Sequence, residues 1–105
     1  MVKIEEILSL IKKTVKAIDS TAVVILYGSY ARKDNNENSD IDLLILVNKL
    51  NLTPQEAKKI KYPLYDIEFE FGKIISPLVL TRNDWETKHR ITPFYENVVR
   101  EGILL

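Results

Sequence analysis

The sequence has no cysteine among its 105 residues and only one histidine, His89. The absence of cysteine excludes disulfide bonds and metal sites built from thiolates. It also fits a cytoplasmic protein, which is the localisation expected for this chain. A single histidine with no evident partner in the sequence is expected on the surface, not in a catalytic or metal site.

Long apolar runs and an excess of charge of either sign are also missing. No apolar stretch approaches the roughly 18 residues that cross a bilayer, so no membrane partner is expected. Charges interrupt the apolar positions of the opening segment MVKIEEILSLIKKTVK, which is unlike a secretory signal. The 15 basic and 15 acidic residues give a formal net charge of zero. Proteins that grip long nucleic acids usually carry a basic excess, so extended nucleic-acid binding is not expected.

The chain has 46% hydrophobic and 29% charged residues, a composition typical of a folded protein. Its length predicts a single domain over residues 1–105. Residues 3–18 carry aliphatic side chains at helical spacing and are predicted to form an amphipathic helix. The apolar runs 22–27 and 41–47 are predicted as buried strands, and the polar, Asn-rich segment 33–38 between them as a loop.

The segment from Thr53 to Gly72 allows two interpretations. Thr53-Pro54-Gln55-Glu56 is a strong helix start, with a capping threonine, proline at the first helical position and glutamate three residues after the cap. Residues 65–71, however, alternate apolar and acidic side chains as a half-exposed strand does. The helix is favoured because the cap and the terminal glycine frame it, and Pro63 is expected to kink or interrupt it.

Three further elements follow along the chain. Residues 73–80 are predicted as a strand, and Pro77 suggests that it lies at a sheet edge or contains a bulge. The segment from Thr81 to Asp84 can cap a short helix that carries Trp85, and a last helix is predicted from Thr92-Pro93 to Gly102. Aromatic residues beside capped helices are expected in the core more often than stacked on a base. This order of elements predicts an α+β or α/β sandwich.

The segment YGSYARKDNNENSDIDL, from Tyr27 to Leu43, carries the chemistry of the chain. A strand ends at Gly28, which permits close approach of the backbone to a ligand, and Ser29 begins a short helical turn. The Ser29 hydroxyl can donate to a phosphate, and Arg32 can supply positive charge to the same anion. Taken alone, a Gly-Ser pair after a strand is usually only a turn.

Asp40 and Asp42 lie two residues apart at the start of the second strand, so both carboxylates project from one face. Two adjacent carboxylates repel each other unless a cation or a proton lies between them. Mg²⁺ commonly takes one or two protein carboxylates and completes its octahedron with phosphate oxygens and water. A phosphate-binding turn beside a metal-binding strand predicts metal-assisted transfer at phosphorus.

Gly-Ser followed ten residues later by Asp-hydrophobic-Asp resembles the signature of the DNA polymerase β-like nucleotidyltransferase superfamily. GSYARKDNNENSDIDL is most similar to the minimal nucleotidyltransferase group, and the resemblance extends to the tail PFYENVVREGILL. It implies a short mixed β-sheet flanked by helices that binds Mg²⁺ and a nucleoside triphosphate, with ATP expected. By this resemblance Gly28, Ser29 and Arg32 bind the nucleotide, while Asp40 and Asp42 are the catalytic and metal-binding residues.

One departure from the family pattern concerns a third carboxylate that active members usually carry on the next strand. The matching position here is Ser76, in GKIISPLVL. Serine can replace the carboxylate neither as a ready base nor as a Mg²⁺ ligand of the same strength. Two functions therefore stay open. The chain is either a nucleotidyltransferase acting on an acceptor such as a partner protein, or a nucleotide-binding antitoxin-like subunit that partners a HEPN-domain protein. The sequence also leaves a homo-oligomer open.

Overall fold

The computed structural model describes residues 3–105, which form one mixed sheet with helices on both faces. The elements in chain order are α1 (Ile4–Ile18), β1 (Val23–Tyr27), α2 (Ser29–Arg32), β2 (Ile41–Val47), α3 (Pro54–Phe71), β3 (Ile75–Thr81), α4 (Arg82–Thr87), α5 (Pro93–Glu101) and β4 (Ile103–Leu104).

The four strands are ordered β3-β2-β1-β4 across the sheet. β2 and β3 run parallel, whereas β1 is antiparallel to both β2 and β4. The predicted α+β class, with a short mixed sheet flanked by helices, is confirmed. None of the helices in the described part of the chain is long and apolar enough to cross a bilayer.

The central strand β2 is buried on both faces, and the packing of its apolar residues shows which face carries its one acidic residue, Asp42. The odd-numbered residues of Ile41–Val47 are fully buried and pack against α1 and α3. Leu44 and Leu46 face the opposite layer, where they pack with Trp85 of α4. Because side chains alternate along a strand, Asp42 lies on the face of α4 and α5.

Local capping chemistry fixes the long helix α3. The Thr53 hydroxyl accepts a hydrogen bond from the Glu56 amide at 3.2 Å, and the Glu56 carboxylate accepts one from the Thr53 amide at 3.1 Å. The helix ends at Gly72, which adopts a left-handed conformation. The helical interpretation of residues 65–71 is therefore confirmed. Of the kink or interruption expected at Pro63, an interruption does not occur, because α3 continues through this residue and buries Leu64 immediately after it.

The later elements follow their sequence signals closely. β3 lies at one edge of the sheet, which is one of the two positions that Pro77 predicted. Proline is tolerated there because the outer side of an edge strand needs no backbone hydrogen-bond donor. Thr81 and Thr92 cap α4 and α5 through their side chains. Trp85 is 3% exposed, so its interpretation as a core residue is confirmed. The two-residue strand β4 was not predicted.

Candidate active site

The turn between β1 and α2 has a backbone that only glycine adopts without strain. Gly28 has φ of 75° and ψ of −154°, a combination that a side chain disfavours. A Cβ atom at this position would overlap Oδ2 of Asp42. Gly28 therefore lets the turn lie directly against the Asp42 carboxylate, so the structure brings the predicted phosphate-binding turn and this predicted metal ligand into contact.

Replacing Gly28 with alanine is expected to destabilise the fold because it combines backbone strain with this overlap. A residue held in such a conformation costs about 1–3 kcal/mol. Urea unfolding should show a midpoint well below that of the unsubstituted chain. Gly72→Ala is the matched control, because Gly72 also has positive φ, of 68°, but has open space where its Cβ would lie. A Gly28→Ala chain at least as stable as the Gly72→Ala chain would contradict this account.

Asp42 sits in a row of residues that crosses three strands. It pairs with Tyr27 on β1 and with Ser76 on β3, so all three side chains share the face of α4 and α5. The position that the family pattern assigns to a third carboxylate is thus directly beside Asp42, and serine occupies it. Within residues 3–105, no cluster of three or more histidine or acidic side chains is arranged to hold a metal ion.

The electrostatics of this row follow from partial burial and like charge. Burial raises the pKa of the Asp42 carboxyl, the nearby charge of Asp40 raises it further, and Arg32 opposes the shift. Burial, followed by the charge of Asp42, also raises the pKa of the Tyr27 hydroxyl. Asp40 precedes β2 and is half-buried. The two aspartates therefore form a repelling pair, an arrangement that a divalent cation relieves.

Arg32 is held over the site by two carboxylates. Its Nε donates to Asp34 Oδ2 at 3.0 Å, and its Nη1 donates to Glu101 Oε2 at 3.3 Å. The other Glu101 oxygen accepts from Arg100 Nη2 at 3.3 Å. One carboxylate at the end of α5 thus contacts two guanidinium groups. Since Arg32 is exposed, it is accessible to a ligand anion.

These residues surround an open cleft of about 450 Å³ between the β1–α2 turn and α5. Its lining includes four predicted residues, namely Gly28, Ser29, Arg32 and Asp42, whereas Asp40 lies outside the lining. Sequence reasoning did not identify the remaining lining residues as part of the site, and they are Tyr27 at the end of β1 together with Phe94, Asn97, Val98, Arg100 and Glu101 of α5.

The α5 wall is an aromatic and polar surface with a visible sequence signal. Phe94 packs edge-to-face on Tyr27, with ring centroids 5.2 Å apart, and Asn97 accepts from Arg100 at 2.9 Å. The spacing of Phe94, Asn97 and Glu101 places them on one helical face. This spacing can be recognised in the sequence, but it does not show which strand α5 packs against.

Comparison with known proteins identifies the family of this arrangement. The sequence profile described as "Nucleotidyltransferase domain" matches residues 8–100. A Methanocaldococcus jannaschii protein named "Putative protein adenylyltransferase" is 39% identical over 80 residues, covering 73% of this chain and 79% of its own length. A second protein of that name and organism is 27% identical over 103 residues, covering 97% of this chain and 93% of its own.

Two solved structures share the fold. One, described as "Structure of putative minimal nucleotidyltransferase", has a TM-score of 0.64 and 21% identity, and covers 99% of this chain and 97% of that one. The other, described as "Crystal structure of the toxin-antitoxin with AMP-PNP", has a TM-score of 0.62 and 19% identity. It covers 91% of this chain and 69% of that one.

Proposed function

The chain belongs to the nucleotidyltransferase domain family, and from that membership we propose that it binds Mg²⁺ and ATP and transfers an adenylyl group to a protein acceptor. The observation that carries the proposal is the contact between the Gly28 turn and Asp42. This contact lets a phosphate on the turn and a metal ion on the carboxylate lie next to each other.

Each predicted residue has a role that its chemistry supports. The Ser29 hydroxyl donates to a phosphate oxygen at the mouth of the cleft. Arg32 adds a charge-assisted hydrogen bond, with a phosphate oxygen joining or replacing Glu101 as its partner. Asp40 and Asp42 would hold Mg²⁺, which suits the pair because this ion commonly takes one or two protein carboxylates together with substrate oxygens and water. An ion held there would supply positive charge to the phosphates as negative charge develops on them.

The transfer is an in-line displacement at the α-phosphorus of the nucleotide. An acceptor hydroxyl oxygen forms a bond to that phosphorus with a lone pair, and the bond to the bridging oxygen breaks. Pyrophosphate leaves with the electron pair of the broken bond. The acceptor proton passes to water, because Ser76 offers no carboxylate to receive it. The chain therefore contributes positioning and charge, without a general base at this position.

The nucleotide and the acceptor are inferred from relatives. Both Methanocaldococcus jannaschii relatives are named for adenylyl transfer to protein, and the toxin–antitoxin structure contains AMP-PNP, an ATP analogue. A protein acceptor also suits an open cleft that faces solvent. By the family resemblance, the partner is a helical HEPN-domain protein.

A second candidate function is nucleotide binding with little transfer, as a regulatory or antitoxin subunit. Ser76 beside Asp42 favours it, because general-base assistance is worth roughly 10²–10⁴-fold in rate. The fold shared with a toxin–antitoxin protein is consistent with this role.

Two labels on ATP separate these functions. We expect label at the α-phosphate, and none at the γ-phosphate, to appear in an acceptor protein when the chain, Mg²⁺ and ATP are incubated together. Removing Mg²⁺ with EDTA should stop transfer and weaken ATP binding measured by calorimetry. Binding without transfer would support the regulatory subunit instead. Incorporation of the γ-label, or ATP binding of the same affinity with and without EDTA, would contradict the proposed chemistry.

A further inference from the structure

Three aromatic side chains form an exposed stripe along α3, which packs on the face of the sheet opposite α5 and the cleft. Tyr62, Tyr65 and Phe69 are 56%, 40% and 92% exposed, and their spacing of three and four residues places them on one face of the helix. The opposite face carries the buried residues of α3, which pack against the sheet. Clusters of solvent-exposed aromatic side chains are typical of surfaces that bind another protein.

After the capping acid Glu56 of its first turn, α3 carries a basic segment and then an acidic segment. Lys58, Lys59 and Lys61 lie in its first half, whereas Asp66 and Glu70 lie in its second, and its last turn has no basic residue. The helix dipole acts mainly within the first and last turns, so most of these charges gain little from their own helix. In the structure of residues 3–105, no lysine of this set and neither acid forms an ion pair.

We propose that this face of α3 binds the same face of a second copy of the chain, with the two helices antiparallel. A two-fold axis near Tyr62 brings the basic half of each helix to the acidic half of the other, so that charges without an ion pair in one described chain gain opposite charges in the pair. Helical geometry then places Lys59 of each copy near Asp66 of the second copy, and Lys58 near the Tyr65 ring.

Self-complementarity of charge favours a second copy over an unrelated partner. A closed two-fold contact uses one patch twice, so each attractive pair occurs twice. An 18-residue helix is about 27 Å long and about 10 Å wide, which gives roughly 270 Å² of face per copy. A standard interface buries about 800 Å² per partner. We therefore expect a weak dimer whose population depends on protein concentration.

Sedimentation equilibrium across a concentration series tests the proposal directly. The unsubstituted chain should shift from monomer to dimer as concentration rises, and added salt should oppose the shift because exposed charges contribute to it. Phe69→Ser should weaken association, whereas Ile91→Ser should not. Ile91 is the matched control because it is also 92% exposed but lies outside α3.

Charge exchange identifies the contact itself. Lys59→Asp and Asp66→Lys should each weaken dimerisation by about fivefold or more, since each turns two attractive pairs into repulsive ones. The double variant should restore it. Neither single variant should change the melting temperature appreciably, because both side chains are exposed and neither forms an ion pair within residues 3–105. A chain that stays monomeric, or a double variant that fails to recover, would overturn the proposal.

Discussion

Replacing Asp42 with asparagine is expected to abolish nucleotidyl transfer while leaving the fold intact. Asparagine keeps the shape of the side chain, so its packing against Gly28 survives. It removes the charge that the proposed metal site requires. Metal assistance to phosphoryl chemistry is worth several kcal/mol, and each 1.4 kcal/mol is about a tenfold change in rate. Transfer should therefore fall by about 10³-fold or more.

The stability of the Asp42→Asn chain should separate this loss from unfolding. The substitution removes one of two neighbouring like charges, so the melting temperature without ligand should not fall. In the unsubstituted chain, ligand at 100 times its Kd stabilises the fold by about 2.7 kcal/mol. The corresponding rise in melting temperature with Mg²⁺ and ATP should disappear in the variant.

Glu6→Gln is the control for this experiment. Glu6 is an exposed acid on α1, which packs against the face of the sheet opposite Asp42. The control loses the same charge and should keep both transfer and the response to ligand. If Asp42→Asn retained transfer within a few-fold of the unsubstituted chain, the site would have to be elsewhere.

Much of the fold was predictable because short-range chemistry sets the boundaries of its elements. The start of α3 follows from three neighbouring residues, because Thr53 and Glu56 form reciprocal hydrogen bonds and Pro54 suits the first helical position. Residues 65–71 form a helix despite their strand-like alternation, because the helix buries Leu64 and Ile67 against the sheet. Pro63 removes one donor from the helix but leaves these buried contacts in place.

What the sequence did not show depends on contacts between distant segments. β4 has only two residues, both exposed, and it exists because they pair with Ile25 and Leu26 of β1. No local pattern distinguishes such a segment from a tail. The same return of the chain brings α5 over the cleft, so the contact between Glu101 and Arg32 joins residues 69 positions apart. The spacing of residues along α5 shows which side chains lie on the same face of the helix, but not which part of the protein that face covers.

The predicted site residues differ in how directly sequence spacing determines their positions. Asp42 and Gly28 lie close together because β1 and β2 are antiparallel neighbours, with Tyr27 opposite Asp42. That pairing follows from two adjacent strands joined by a loop. The position of Ser76 required the parallel pairing of β2 and β3 across all of α3. The family pattern anticipated this placement, whereas local sequence chemistry did not.

Replacing Ser76 with aspartate is expected to raise transfer by roughly 10²–10⁴-fold, the range that general-base assistance provides. Ser76 pairs directly with Asp42 on the neighbouring parallel strand, about 4.8 Å away in the hydrogen-bonding direction. A carboxylate there can accept the proton of the acceptor hydroxyl as its oxygen bonds to the α-phosphorus. It can also add a third ligand for Mg²⁺.

The same substitution should destabilise the chain when no metal is bound. A third negative charge beside Asp40 and Asp42 adds repulsion in a partly buried site. The melting temperature of Ser76→Asp should therefore lie below that of the unsubstituted chain in EDTA and recover when Mg²⁺ and ATP are added. Opposite effects on activity and on ligand-free stability are typical of strained functional sites.

The Ser76→Asn variant shows whether a gain in transfer by Ser76→Asp comes from a general base or only from a larger side chain. Asparagine has the volume of aspartate but cannot accept the acceptor proton at neutral pH, so it should give no gain in transfer. Initial rates with α-labelled ATP, measured for both variants at saturating Mg²⁺, make the comparison. Equal rates for the two variants would mean that the third carboxylate does not belong at Ser76. The weak-transfer candidate would then need another cause, since the serine beside Asp42 would no longer explain it.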